Sequence, residues 1–425
     1  MEKEYESLKE LFQREFSKMV AVISKRFGLQ HIETAEDIVS ETFLLAAETW
    51  GLKGIPENPA AWLYTVARQK TLYHFRRNKI FEEKIVPAIH SEEKDNETDE
   101  LNFSRQNIRD SQLQMIFAIC NPAIASEAQI GLALRILCGF GIDEIAEAFL
   151  TSKDTVNKRL FRAKEKLRTE KVTMEMPPEN EIPGRLDNVL HTIYLLFSEG
   201  YYSSTQNQIL RKDLCLEALR LGVMLTEYEK TNLPKTNALL ALMCFHSSRF
   251  HARETDKGSM ILYDQQNKEL CDIELINQGL YFLNLSEQGE EVSSYHLEAR
   301  IAYWHCTSED TKEKWENILY LYDQLLSVNY SPSVALNRVF ALYKANVDLP
   351  DKMGQKMALA EAEKLNLGNN HFYFLLLGEL YKNIDNEKAK YNLQKAFSMA
   401  RTQAEKQGIS EKIDSLQKTG ISTNF

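Results

Sequence analysis

Apolar residues recur at intervals of three and four along nearly the whole chain, and stretches that alternate at every second position are almost absent. A period of 3.6 buries one stripe of a helix, whereas a strand needs a period of two, so the pattern commits the chain to helices packed on helices. The expected fold class is all-α. Helical stretches are placed around Leu11–Phe27, Thr34–Trp50 and Pro59–Asn78, with "GLKGIPENP" (Gly51–Pro59) as strong punctuation before the third. One departure is "ARETDKGSMILYD" (Ala252–Asp264), where Asp256-Lys257-Gly258 signals a turn between two short strand-like runs.

The net charge of −10 conceals an uneven distribution. Residues 1–171 carry 25 Lys/Arg and 27 Asp/Glu, and the stretch 81–100 alone holds eight acids and two bases. Without that stretch the N-terminal part is basic by four charges, while 172–425 is acidic by eight. Composition and punctuation divide the chain into a helical segment 1–80, an acidic linker 81–105, a second helical unit 106–171, and an extension 184–425 that follows the proline-rich "MPPENEIP" (Met176–Pro183). No apolar run approaches the roughly 18–20 residues that span a membrane, and the charged N-terminus does not look secretory, so no membrane partner is expected. The six scattered cysteines suit reduced, mostly buried thiols of a cytoplasmic protein.

The stretch "SKDTVNKRLFRAKEKLR" (Ser152–Arg168) holds seven Lys/Arg against two acids. On a helical wheel Val156, Leu160, Ala163 and Leu167 form one buried stripe. Asn157, Lys158, Phe161 and Arg162 lie opposite, with Arg159 and Lys166 on one flank. A large aromatic on the outward face of a basic helix suits a surface that meets another macromolecule. Thr151, with Asp154 three residues on, resembles a capping box that would start this helix. Upstream, "GIDEIAEAF" places Ile142, Ile145, Ala146 and Phe149 on one side, and the short turn "LTS" joins the two segments. This is a helix-turn-helix pattern, whose second helix enters the DNA major groove. There Arg162 and Lys158 can meet guanine edges or phosphates, Asn157 can pair with adenine, and Phe161 can pack on a thymine methyl.

Nearer the N-terminus, "AEDIVSETF" (Ala35–Phe43) places Asp37 and Glu41 on one helix face, with Ile38, Val39, Thr42 and Phe43 toward a core. In the following "NPAAWLYTVARQKTLYHFRRNK", Trp62, Tyr64, Tyr73 and Phe75 alternate with Arg68, Lys70, Arg76, Arg77 and Lys79. Such interleaving fits splayed and stacked bases of a single strand, or aromatics in a core beneath solvated cations. In this order the segments resemble the extracytoplasmic-function sigma factors of bacterial RNA polymerase, a branch of the sigma-70 family. "LLFSEGYYSS", "RKDLCLEALRLG" and "SPSVALNRVFAL" resemble the subgroup with a long helical C-terminal extension.

The resemblance implies that Asp37, Ser40 and Glu41 bind the basic clamp helices of the largest subunit of core RNA polymerase. It implies that Trp62, Arg68, Gln69, Tyr73, Arg76 and Arg77 take the opened −10 strand of promoter DNA. It assigns the −35 major groove to Asn157, Lys158, Phe161 and Arg162, flanked by Arg159 and Lys166, and the acidic linker to the RNA channel of the polymerase. Three positions depart from the family: Ser40 where Gln is usual, Gln69 where Asn is common, and Asn157 in place of a frequent Arg or Lys.

In the extension, "FLLLGELY" (Phe374–Tyr381) with Ala389, Leu393 and Ala396 beyond it shows a tetratricopeptide-like signature. "WENILYLY" with "SPSVALNRVFALYKA" forms a more degenerate unit. "FSEGYYSS" (Phe197–Ser204) is either a packed helix end at Gly200 or a contact or sensor surface. Arg249, Arg253 and Asp264 form either a polar network or a small-ligand pocket. The extension is expected to dock on the sigma segments and set their activity, or to bind a protein partner of its own. No catalytic triad, paired-carboxylate site, phosphate loop or metal-ligand spacing stands out, so neither enzymatic activity nor a cofactor is expected. The competing functions are a DNA-tethered helical-repeat scaffold and a ligand-dependent transcription regulator, and neither has a use for a polymerase-binding helix.

Overall fold

Gly28 and Gly54 take positive φ (91° and 82°), where a side chain would strain the backbone, and each ends a long helix. The first is α1 (Glu2–Phe27) and the second α2 (Ile32–Lys53), whose last turn is closed by the Gly54 N–H on the Trp50 carbonyl at 2.9 Å. A computed structural model of the chain describes residues 2–85, 101–149, 151–201, 211–253, 266–289, 291–307, 309–400 and 403–421. Every regular element among them is helical, with no strand. The acidic stretch 86–100 and the hairpin expected beyond Arg253 lie outside the described residues.

The chain forms two compact units, Met1–Leu195 and Leu196–Phe425. In the first, α1 carries the wholly buried Phe16, Met19, Val20 and Ile23. It packs on α2, on α3 (Pro59–Ile85) and on α4 (Arg105–Ile119). Next come α5 (Ser126–Leu132), a π-turn at Ala133–Leu137, α6 (Ile142–Ala148) and α7 (Lys153–Thr169). The end of the expected linker is itself packed: Leu101 is buried and the Phe103 ring stacks on Tyr64 at 4.9 Å.

The cap of α7 falls one residue later than the sequence pattern indicates. The Ser152 hydroxyl accepts the Thr155 N–H at 3.1 Å, while the Thr151 N–H is spent on the Ala146 carbonyl at 2.9 Å and closes the turn. The unit boundary also differs from the proline-rich segment: it falls inside α8 (Ile182–Tyr201). The first turns of α8 are anchored in the first unit, by Arg185 donating to the Phe117 carbonyl (2.9 Å) and Thr192 to Gln129 (2.9 Å).

In the second unit, Gly200 of α8 lies against α9 (Lys212–Thr226) so closely that a methyl group there would meet the Arg211 carbonyl oxygen at 2.8 Å. Among the alternatives for "FSEGYYSS", the packed turn is the one these described residues form. α10 (Pro234–Ser248) is buried nearly all round and is covered by α9, α12 (Ile273–Ser286) and α13 (Ser294–Cys306), with the short α11 (Phe250–Arg253) beside it. Paired helices follow: α14 (Lys312–Val328) with α15 (Pro332–Ala345), α16 (Met353–Leu365) with α17 (His371–Tyr381), and α18 (Asn386–Met399) with α19 (Gln403–Ile421). The tetratricopeptide-like signature has its physical basis at Gly378. A methyl group there would meet Leu393 of α18 at 2.6 Å, so the missing side chain sets the close approach of α17 to α18.

Candidate nucleic-acid interface

Helix α7 sorts its residues as the wheel predicts. Val156, Leu160, Ala163 and Leu167 are buried, while Asn157, Lys158, Phe161 and Arg162 are outward, Phe161 at 57% exposure. The structure then disposes of most of the charge. Lys153 pairs with Asp143 (2.7 Å), Arg159 with Glu127 (3.0 Å), Lys164 with Glu36 (2.5 Å), Lys166 with Glu170 (2.6 Å), and Arg168 with Glu165 and Glu33. Among the described residues, Lys158 and Arg162 are the two bases of this helix that form no ion pair. They frame an open groove of about 510 Å³ between α7 and the start of α5, lined also by Ala125, Ala128, Thr155 and Arg159. A duplex meeting this face finds two directional cations, one amide and one aromatic ring, the set that reads base edges.

On α3 the aromatics turn inward instead. Trp62 meets Trp50 edge-on at 5.3 Å, and Phe75 stacks on Phe27 at 3.7 Å. Tyr64 donates to Glu15 at 2.5 Å. Burial pushes the Glu15 carboxyl up, but hydrogen bonds from Tyr64, Arg14 and Lys18 outweigh it and hold the group below its usual value. Tyr73 alone of these aromatics is outward, at 69% exposure, and shares an exposed stripe with Gln69, Arg76 and Arg77. Arg68 is half-buried on the adjoining face.

On α2 Asp37 and Glu41 are exposed and Ser40 is half-buried, with Ile38, Val39, Thr42 and Phe43 in the core. Glu41 accepts from Lys70 of α3 at 2.9 Å, an exposed pair worth about 0–1 kcal/mol and therefore exchangeable for another cation. The same stripe continues through Leu44 (61% exposed), Glu48 and Leu52 (89% exposed). Sequence reasoning passed over Leu44, Glu48 and Leu52, although their spacing from Glu41 carries the signal.

Models of known families match three spans of this chain. Sigma-70 region 2 matches residues 11–80, from within α1 to α3, and sigma-70 region 4 matches residues 130–167, through α7. The chain belongs to the sigma-70 family. It is a sigma factor of the extracytoplasmic-function kind with a helical C-terminal extension, and its role lies in promoter-specific transcription. A family of unknown function (DUF6596) matches residues 185–287, the start of that extension. An uncharacterized protein of Rhizobium meliloti is 30% identical to this sigma factor over 393 residues, 91% of each chain, so sigma regions and extension recur together. No solved structure matches.

One cluster in the sigma regions escaped the sequence entirely. Glu36, next to Asp37 but buried, accepts from Arg135 Nε (2.8 Å) and Lys164 Nζ (2.5 Å), 99 and 128 residues away. Local sequence carries no sign of it, since neither partner lies on a neighbouring turn.

Proposed function

We propose that this sigma factor binds core RNA polymerase through the outer face of α2 and directs initiation at a defined promoter class. In this reading α3 holds the opened −10 strand through Gln69, Tyr73 and Arg76, and α7 reads the −35 groove. One observation carries the reading: the exposed Asp37–Glu41 stripe with Leu44 and Leu52 on α2. Carboxylates repel DNA, so a tether or repressor gains nothing from them. A basic protein surface gains both the charge and the apolar contact. The test is run-off transcription on genomic fragments with core polymerase, beside co-purification of the Asp37→Lys/Glu41→Lys protein. Defined starts that require this chain are expected, and the reversal should abolish co-purification with helicity unchanged. Undiminished co-purification refutes the assignment of α2.

The extension acts in this proposal as a regulator tethered to the sigma regions. A tether supplies an effective concentration on the order of millimolar, so a weak interaction suffices. Because the first half of α8 packs in the first unit, the fair comparison is the full chain against residues 1–201. Equal promoter choice, rate and salt dependence in the two forms would make the extension an independent module.

A further inference from the structure

Glu36, Arg135 and Lys164 come from α2, the π-turn and α7, so they join region 2 to region 4. Glu36 is 5% exposed, although its neighbour Asp37 is fully outward. The π-turn, whose widened ladder runs from the Cys138 N–H to the Ala133 carbonyl (3.1 Å), projects Arg135 from its middle. The guanidinium also donates to the Phe140 carbonyl (3.1 Å) and lies over the Phe16 ring at 5.3 Å. Lys164 leaves α7 on the flank away from the reading face, and its side chain is 11% exposed. Around this seam, Arg168 of α7 donates to the Gln30 carbonyl (3.5 Å), and Gln112 of α4 donates to Ser17 of α1 (3.2 Å).

We propose that Glu36 is an ionic clasp that holds the two sigma regions shut, and that this clasp opens before both promoter elements are engaged. The proposal rests on the promoter reading given above. From Asn157 a path runs along α7, through the Lys164–Glu36 bond, along α2 and through the Glu41–Lys70 bond. At 1.5 Å of rise per helical residue, with the side chains added, it spans about 50 Å. Elements centred at −10 and −35 are about 25 base pairs apart, roughly 85 Å of duplex at 3.4 Å per step. The closed form cannot reach both.

The chemistry of the seam fits a joint that parts. An apolar seam loses its burial on opening and resists it. Buried ions regain hydration when they separate, which offsets the lost attraction. Glu36 lies one residue, about 100° of helix, from Asp37. Opening therefore adds a third carboxylate to the face proposed to meet polymerase, so core binding and opening favour each other.

The experiment uses the full chain with Glu36→Gln, Lys164→Met and Lys164→Arg, measured by small-angle X-ray scattering and by affinity for core polymerase. Glu36→Gln leaves two buried cations facing each other and should increase the radius of gyration. Lys164→Met leaves the α2 face untouched and keeps the Glu36–Arg135 pair, so it guards against a variant that fails to fold. It should bind core about 10-fold more tightly, because less of the protein is held in the closed form. Lys164→Arg keeps the charge and should behave as wild type. Unchanged dimensions and unchanged core affinity in both Glu36→Gln and Lys164→Met overturn the clasp, as does a Lys164→Arg protein that matches Lys164→Met. If no form binds core while Glu36→Gln still expands, the clasp stands and the polymerase reading falls.

Discussion

Helices α3 and α7 both interleave bases with aromatic rings, and they dispose of them in opposite ways. On α7 the ring faces outward and five of seven bases are paired with acids. On α3 Trp62, Tyr64 and Phe75 are packed against other rings, while Arg76 and Arg77 remain outward with Tyr73. The difference matches the two forms of DNA. Excess cations on a duplex reader add affinity that ignores sequence, so pairing them off leaves the contact to directional groups. A single-strand surface needs cations along the backbone and an exposed ring on which a base can stack.

The sharpest way to break this comparison lies within α7, at adjacent residues of opposite orientation. Leu160→Ala should cost roughly 2–5 kcal/mol of stability, since Leu160 is buried and its loss leaves a cavity. Phe161→Ala should leave stability within about 0.5 kcal/mol and instead weaken binding to promoter duplex, with relaxed choice at a thymine. Paired thermal melts and duplex-binding curves decide it. A Phe161 variant that melts early with normal DNA binding would place that ring in the core and dissolve the contrast.

The same inversion should appear on α3 with a smaller stability term. Phe75 is half-buried against Phe27, so Phe75→Ala should cost about 2 kcal/mol, less than a wholly buried ring. Tyr73→Ala should leave the melting temperature alone and lower affinity for a −10 single strand by about 1–3 kcal/mol. Equal effects of both substitutions on strand binding would show that this face does not select between its rings.

These contrasts mark how far the sequence could be read. Orientation was legible: period and residue size placed Leu160 inward and Phe161 outward, and likewise Phe43 inward and Asp37 outward. Pairing was not. Whether Lys164 is solvated depends on Glu36, 128 residues earlier, and no periodicity carries that information. For the same reason the wheel counted Arg159 with the reading residues, whereas it pairs with Glu127 on the α5 side of the groove. On α3 the interleaved pattern left strand binding and core packing open, because Trp62 and Tyr64 meet partners on other segments, Trp50 and Phe103.

Tyr64 offers a test on the packed side of α3. Its hydroxyl bonds Glu15, whose carboxyl is held below its usual value of 4.5. A carboxylate with a depressed folded value adds stability that is fully present above the unfolded value and is lost as pH falls through the folded one. Tyr64→Phe should therefore lower the urea midpoint at neutral pH, by about 1–2 kcal/mol of stability. The gap to wild type should then close as pH drops from about 5 towards 3. A gap independent of pH would show that the hydroxyl supports packing and leaves the carboxylate alone.

The smallest expected effect separates reading from mere attraction on α7. Lys166 is exposed, one turn beyond Arg162 on the rim of the groove, and its i,i+4 pair with Glu170 is worth only about 0.3–0.5 kcal/mol. Removing it should hardly change stability. If it lies against phosphate, Lys166→Ala should weaken all duplexes by a similar small factor, and the slope of log affinity against log salt should fall by about one charge. Arg162→Ala should instead cost about 1–3 kcal/mol at one base position, with the penalty vanishing on duplexes mutated there. Binding measured across a salt series, on cognate and singly substituted duplexes, distinguishes the two. Sequence-blind losses of equal size from both variants would reduce the face of α7 to a charged surface, and the pairing of its other five bases would then need a different explanation.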